Sequence, residues 1–355
     1  MPANASHYTA VVIGAGKAKD EGFQKGGGHR IGYTHGETYA RNANVQLVAV
    51  ADINPENLGA YQATFDLTSG FLDYRQMLAS VRPDIVSICT YVGLHRQMIV
   101  DACAAGVKGI ICEKPFLAAP ADLQRVAEAA AASGAKIVVP HIRRYFPAFA
   151  HAKALYTAGA VGQPLLCVAG IPGWDLSEWG SHWLDMFRFF HDDQPVNWVL
   201  GQARVRDLRG YGHAMEEHAV AYFEFANGGK GLLDGGQAMN GAWTMNMVGT
   251  EGVIRVRGEN ELVIDDRSGR RDVSFVDHPG SSYAAVWDCL LADLVAWLDD
   301  GQEPMLGLTN MLKTSELNLA AYLSALRGDR VDLPLDDVLD EWPVEALARR
   351  ATERQ

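Results

Sequence analysis

This chain has no CxxC pair, no block of basic residues and no apolar run approaching the roughly 18 residues of a membrane span. Each absence removes a class of function. The five cysteines, Cys89, Cys103, Cys112, Cys167 and Cys289, are scattered through apolar segments, which reads as buried thiols in a reducing compartment rather than bridges or metal ligands. A formal net charge of −12 without a basic block offers no surface for a phosphate backbone, so nucleic acid is not an expected partner. The same acidity weakly disfavours a strongly anionic substrate, although a local pocket overrides a global field. The opening "MPANASHYTAVVIG" lacks a basic region followed by an apolar stretch and a cleavage site, so a cytoplasmic protein with no membrane association is expected. No G-x-S-x-G elbow occurs, and "EEH" at Glu216 to His218 begins a strand on which Glu217 faces away from both neighbours. Nucleophile and metal readings fall with these, and no metal is expected.

What is present is an ordinary globular composition, 48% hydrophobic and 21% charged, in a chain of 355 residues, long enough to predict two domains. In the first 140 residues, "YTAVVIG", "VQLVAVAD", "DIVSICT", "VKGIICEKP" and "AKIVVP" are β-branched-rich runs, with "SGFLD" as a candidate sixth. Between them "PENLGAYQATF", "DYRQMLASV", "LHRQMIVDACAAG" and "APADLQRVAEAAAASG" carry helix-period apolar positions. This alternation predicts a parallel sheet covered on both faces by helices. After Pro140, strand runs follow one another closely from about Gly162 to Phe275 with turns such as "NGG" and "GTEG", predicting a mainly antiparallel sheet. Helices are expected at "WDLSEWGSHWLDMFRFF", "YAAVWDCLLADLVAWLDDG" and "NMLKTSELNLAAYLSALRG". The expected division is 1–140 and 141–355.

The stretch "IGAGKAKDEGFQKGGGHRIGYTHGE" starts as a dinucleotide loop and does not close on time. Gly14 and Gly16 follow the first strand at the positions for a tight turn and for close backbone approach to a pyrophosphate. The best helix opening is "RIGYTHGETYA", which makes Gly32 the third glycine, entered through Arg30 and Ile31, after an insertion of about thirteen residues. The second strand strengthens this reading. "VQLVAVAD" ends at Asp52, roughly 20 residues beyond Gly32, where a carboxylate holds the adenosine ribose hydroxyls and repels a 2′-phosphate, so NAD is favoured over NADP. Asp52 as a helix cap before "NPEN" is compatible with the same role.

"VKGIICEKPF" sets Glu113 and Lys114 at the carboxyl end of a buried strand, the edge where ligands sit in an open α/β sheet. A lysine there has few structural uses, whereas hydride transfer needs a donor to the substrate oxygen. In "SEWGSHWLD", Glu178, His182 and Asp185 fall at i, i+4 and i+7 and are expected on one helix face. Of these, His182 exchanges protons near neutrality; the plain alternatives are a surface Glu178–His182 pair and an Asp185 bonded to backbone or to a neighbour such as Arg188. Arg143, Arg144 and Tyr145 at the change of domain either border the cleft or bridge the domains. Tyr91, Trp174, His213, His218 and Tyr283 read first as packing residues; of this group Arg144, Trp174 and Tyr283 are carried as substrate-side candidates beside Lys114, Glu178 and His182.

Taken together, "VVIGAG", "VADIN", "TYVGLH", "CEKPF", "RRYFPAFAHAKALYTAGAVG", "EWGSHWLD" and "GTEG" resemble the glucose-fructose oxidoreductase/inositol 2-dehydrogenase (Gfo/Idh/MocA) family over nearly the whole chain. The EKP triplet followed about 65 residues later by carboxylate-x-G-x-H-x-x-D is the specific part. The resemblance implies a Rossmann domain followed by an open-faced sheet domain, with homodimers or homotetramers formed through that sheet. It implies NAD, with Gly14, Gly16, Arg30, Ile31, Gly32, Asp52, Thr90, Tyr91, His95 and Glu113 on the cofactor side. It also implies that His182 takes the proton of a secondary hydroxyl of a sugar, sugar acid or cyclitol while Lys114 positions its oxygen, with Glu178 orienting His182 or a neighbouring hydroxyl.

Three departures stand out. Glu178 replaces the family's usual aspartate, so the carboxylate's partner is open. "TYVGLH" keeps Thr90 and His95 but has Tyr91 in place of proline. The nucleotide loop is longer than the family norm, and Lys17 to His29 is expected either to form part of a lid or to be a surface excursion. Two rivals follow from the resemblance: a glycosidase or lyase that oxidises its substrate transiently, and a nucleotide-sensing protein without catalysis.

Overall fold

The computed structural model describes residues 8–18, 29–237, 239–336 and 339–353. Alternation in the first part builds β1 (Tyr8–Ile13), α1 (Ile31–Arg41), β2 (Val45–Ala51), α2 (Pro55–Phe65), β3 (Ser69–Phe71), α3 (Tyr74–Val81), β4 (Ile85–Ile88), α4 (Val92–Ala104), β5 (Gly109–Cys112), α5 (Pro120–Ser133) and β6 (Lys136–Val138). The strands form one parallel sheet in the order β3-β2-β1-β4-β5-β6. β1, β4 and β5 are apolar almost throughout because helices cover both of their faces. The register pairs Ile13 with Ala51 and with Ile88, and Ile88 with Cys112. Gly14, Asp52, Cys89 and Glu113 therefore leave their strands at one edge, around the point where strand order reverses.

The second part comprises α6 (Pro147–Thr157), β7 (Pro164–Pro172), α7 (Gly180–Phe190), β8 (Val196–Gly210), β9 (His213–Phe225), β10 (Lys230–Gly236), β11 (Thr244–Gly249), β12 (Gly252–Arg257), β13 (Glu261–Asp266), β14 (Gly269–Ser274), α8 (Tyr283–Leu298), α9 (Leu308–Arg327), β15 (Val331–Asp332) and α10 (Pro343–Glu353). Nine strands run in the order β14-β13-β12-β11-β7-β10-β9-β8-β15, antiparallel except between β7 and β10. Alternation decides the two faces. The register row Val199, Phe223, Gly231, Cys167, Met247 and Ile254 is buried under helices, while the adjacent row Leu200, Tyr222, Leu232, Val168, Asn246 and Arg255 is exposed or half-exposed. This is an open-faced sheet. α9 approaches β8 so closely that a Cβ on Gly201 would meet the Ala321 carbonyl oxygen at 1.9 Å.

α8 departs from sequence order. It follows the second sheet but packs against the first: the Trp287 ring lies 4.6 Å from that of His35, and Leu294 and Leu298 line Gly109. The helix expected from Trp174 begins only at Gly180, because Asp175 bends the preceding turn by accepting the Glu178 N–H through Oδ2 (3.2 Å) and the Gly180 N–H through its carbonyl (2.9 Å).

Candidate active site

The nucleotide turn is built by close approach. A Cβ on Gly14 would lie 2.6 Å from the Cys89 carbonyl oxygen, and one on Gly32 would lie 2.5 Å from the Gly14 oxygen and 2.6 Å from that of Ala15. Gly32 therefore does what the third glycine of a dinucleotide fingerprint does, letting the helix pack on the turn. The chain departs after Gly16 and returns at His29, and the Lys17 N–H donates to the His29 carbonyl at 3.0 Å. This clasp closes the base of the insertion, and α1 opens directly after Arg30 with first-turn N–H groups that suit a phosphate. Residues 19–28, on which the lid expectation mainly falls, lie outside the described residues.

Asp52 accepts the Gly16 N–H through one oxygen (3.1 Å) and the Asn54 N–H through the other (2.8 Å), while Asn54 itself caps α2. The carboxylate is thereby held against the glycine turn. Tyr91 takes the N-cap position of α4 and is 38% exposed; the Tyr91 ring faces Gly212 in the β8–β9 turn. His95 is fully buried, its ring nitrogens meeting the carbonyls of Thr90 (2.9 Å) and Phe116 (3.1 Å). Any part it has in holding a nucleotide is through the Thr90–Tyr91 turn.

Glu113 turns inward. Its carboxylate accepts from His35 Nε2 (3.0 Å) and from the Lys114 N–H (3.1 Å); His35 Nδ1 meets Ser87 Oγ at 2.7 Å, and Ser87 in turn meets the Tyr39 hydroxyl at 2.5 Å. Burial works to raise the Glu113 carboxyl, but the bond and charge of His35 and the charge of Lys114 outweigh it and hold it below its ordinary range. Sequence reading placed Glu113 on the cofactor side; its side chain instead fixes the backbone from which Lys114 projects.

Lys114 reaches across to the second part of the chain, its Nζ donating to the Glu178 carbonyl (3.2 Å) with Glu178 Oε2 at 3.7 Å. Glu178 lies in the turn before α7, so it does not share a helix face with His182 and Asp185 as expected. The Glu178 Oε1 meets His213 Nε2 at 3.1 Å, whereas His182 Nδ1 meets His141 Nδ1 at 3.2 Å. His182 is nearly buried and held well below the usual histidine range, by burial first and then by the charges of Arg143, Lys114 and His141. Burial and the neighbouring positive charges favour its neutral form and oppose its protonation. The rings of Trp174 and Trp179 lie 4.3 Å apart and are tilted by 31°, and Trp179 is edge-on to His182 at 6.1 Å. Arg143 lies between the rings of Trp179 and Trp183 (5.4 and 4.9 Å) and pairs with Glu259 at 3.0 Å.

Arg144 is a correction. Its guanidinium is completely buried in paired contact with Asp185 (2.8 Å) and Asp193 (2.7 Å), so it ties α7 to the domain junction and has no face for a substrate. Tyr283 at the start of α8 is half-exposed and edge-on to Phe146. His218 sits at the exposed surface with Asp234. Sequence reading passed over His141 and placed His213 among packing residues; no local pattern marks either, because each meets its partner through strand and helix placement 35 or 41 positions away.

Residues 9–141 match the model of the GFO/IDH/MocA oxidoreductase family, NAD-binding Rossmann fold, and residues 149–255 match the GFO/IDH/MocA C-terminal domain. The chain belongs to this family. As a GFO/IDH/MocA protein it carries an NAD-binding Rossmann domain and is an NAD-dependent oxidoreductase. It is similar to D-apiose dehydrogenase of Paraburkholderia graminis, 27% identical over 317 residues that cover 81% of this chain and 83% of that protein. It is also similar to inositol 2-dehydrogenase of Pseudomonas syringae, 32% identical over 123 residues covering 34% and 36% of the two chains. In fold it matches levoglucosan dehydrogenase in complex with NADH (TM-score 0.77, 20% identity, 93% of this chain and 100% of that one). It likewise matches the WlbA dehydrogenase from Bordetella pertussis in complex with NADH and UDP-GlcNAcA (TM-score 0.76, 21% identity, 94% and 100%). No helix among the described residues is long and apolar enough to cross a membrane.

Proposed function

We propose that this GFO/IDH/MocA protein oxidises a secondary hydroxyl of a sugar, sugar acid or cyclitol, with Lys114 and His182 at the reacting oxygen. The observation that carries the reading is the meeting of Lys114, from the ligand edge of the first sheet, with Glu178 from the second part of the chain, where the Lys114 charge also bears on the buried His182. The glycine cradle fits a dinucleotide: Gly14, Gly16 and Arg30 to Gly32 would hold its pyrophosphate, Asp52 its ribose, and Thr90 and Tyr91 would border it. Bound there, NAD supplies a hydride acceptor. Lys114 donates a hydrogen bond to the substrate oxygen and favours its alkoxide character, and His182 accepts the hydroxyl proton. Trp174 and Trp179, two tilted indoles in contact, would offer apolar surface to the C–H groups of a polyol. Residues 1–140 serve the nucleotide and 141–355 the substrate, with a second copy of the chain docking on the open face around Leu232 and Tyr222.

The test is absorbance at the NADH band when the protein and NAD are offered sugars, sugar acids and inositols, with Lys114→Ala alongside. A rise that the variant abolishes supports the reading and names the substrate class. Consumption of a glycoside without net NADH would replace it with transient oxidation.

A further inference from the structure

Glu178 and His213 meet inside the protein, and hydrogen accounting constrains what they carry. His213 opens β9 immediately after the two-residue turn of Tyr211 and Gly212, both with positive φ (50° and 82°), the hairpin geometry that matches strand twist. The ring is 2% exposed and lies 4.2 Å from that of Trp342, and Glu345 of α10 accepts the neighbouring Ala214 N–H at 2.8 Å. The His213 position is therefore fixed from two sides. Its Nδ1 is 2.7 Å from the Ala214 carbonyl oxygen. A carbonyl only accepts, so Nδ1 carries a hydrogen. Nε2 then stands 3.1 Å from Glu178 Oε1, and that contact needs one more proton between the two. With Lys114 Nζ 3.7 Å from the other Glu178 oxygen, the proton belongs on the imidazole and the charge on the carboxylate.

We propose that His213 is a positioning residue of the oxidoreductase site: as an imidazolium it holds Glu178 as a carboxylate facing Lys114, and it takes the place of His182 as partner of the longer acidic side chain. The inference rests on the reading of Lys114 and His182 as the groups at the reacting oxygen. It divides the site into a charged pair, Glu178 with His213, that fixes the field around Lys114, and a second buried pair, His182 with His141, whose surroundings favour the neutral form. The other charged or titratable groups bearing on Glu178 are Asp175, His29 and His95, and on His213 they are Asp175 and Glu216. Burial opposes both charges, yet the mutual bond and charge, with Lys114 on the acid side, leave Glu178 below and His213 above their ordinary values.

Two measurements test this in the full chain with NAD bound. The first is nitrogen NMR of the ring-labelled histidines near neutral pH. His213 is expected with both ring nitrogens protonated, and Glu178→Gln is expected to return it to the neutral form. The second compares His213→Gln, which keeps a donor to Glu178 without the charge, with the parent chain. Expected are a fall in kcat of about tenfold or more with the KM for NAD unchanged, and a shift of the acidic limb of the pH profile upward as Glu178 becomes easier to protonate. A neutral His213 in the parent chain overturns the pair, whether or not a substrate has been found. An unchanged kcat and pH profile in folded His213→Gln overturns its part in the reaction. An imidazolium in a protein inactive on the whole panel would leave the pair standing and overturn the proposed sugar or cyclitol substrate instead.

Discussion

Gly32→Ala tests whether the late third glycine really closes the nucleotide turn. The added methyl would sit 2.5 Å from the Gly14 oxygen and 2.6 Å from the Ala15 oxygen, both backbone atoms that no side-chain rotation can move. Relief requires α1 to retreat from the turn by something on the order of 0.5–1 Å, and overpacking of this kind costs about 1–3 kcal/mol. On the proposed reading the turn and helix opening together hold the pyrophosphate, so much of that cost would fall on cofactor binding; about 2 kcal/mol there would weaken NAD affinity roughly 30-fold. Gly59→Ala is the control. It is an exposed glycine in α2 with nothing within 4 Å of an added Cβ, and the same substitution is expected to stabilise by about 0.5–1 kcal/mol. Titrating NAD against tryptophan fluorescence, with thermal melting in parallel, reads both effects. If Gly32→Ala binds NAD within about twofold of the parent chain and melts no lower, Gly32 is not the third glycine.

Asp52→Ser removes a charge-assisted acceptor and is expected to weaken NAD by about 1.5–3 kcal/mol while narrowing the preference over NADP, read as the ratio of the two KM values. Arg144→Ala leaves Asp185 and Asp193 facing a buried gap; a loss of about 3–5 kcal/mol in urea unfolding is expected, and a stability change under about 1 kcal/mol would contradict its structural assignment. Burial, then the charges of Glu216 and Glu178, push Asp175 up to about 8. Between its ordinary carboxyl range and that value the folded chain binds a proton that the unfolded chain has released. Asp175 therefore makes stability fall as pH rises through this window, at about 1.4 kcal/mol per pH unit, and Asp175→Asn should flatten the slope of urea midpoints against pH. Leu232→Asp places a charge in the middle of the open face and is expected to shift sedimentation toward the monomer; an unchanged sedimentation coefficient for an oligomeric parent would move the interface elsewhere.

Much of the fold was legible because its signals are local. Period-two and helical patterns give β1 to β6 and their helices, down to the short strand at Ser69–Phe71, and the turn-rich grammar after Pro140 gives the second sheet. The glycine and Asp52 positions were readable because they are tied to strand ends. Glu178 was misplaced because helical spacing continues through "SEWG", whereas the Asp175 side chain and carbonyl take up backbone N–H groups and delay the helix to Gly180. Glu178–His213, His182–His141 and Arg144–Asp185 were beyond sequence reading for one shared reason: each depends on how two elements cross, and a single sequence carries no periodicity for that. The return of α8 to the first sheet is of the same kind, since its apolar surface fits either layer.

The clasp between the Lys17 N–H and the His29 carbonyl has a consequence for how this turn can change over generations or in the laboratory. It separates the geometry of the phosphate cradle from the length of chain carried beyond it. A segment of another length or chemistry that starts at Lys17 and ends at His29 meets the same clasp, so it can be exchanged as a cassette while Gly14, Gly16 and Gly32 keep their register.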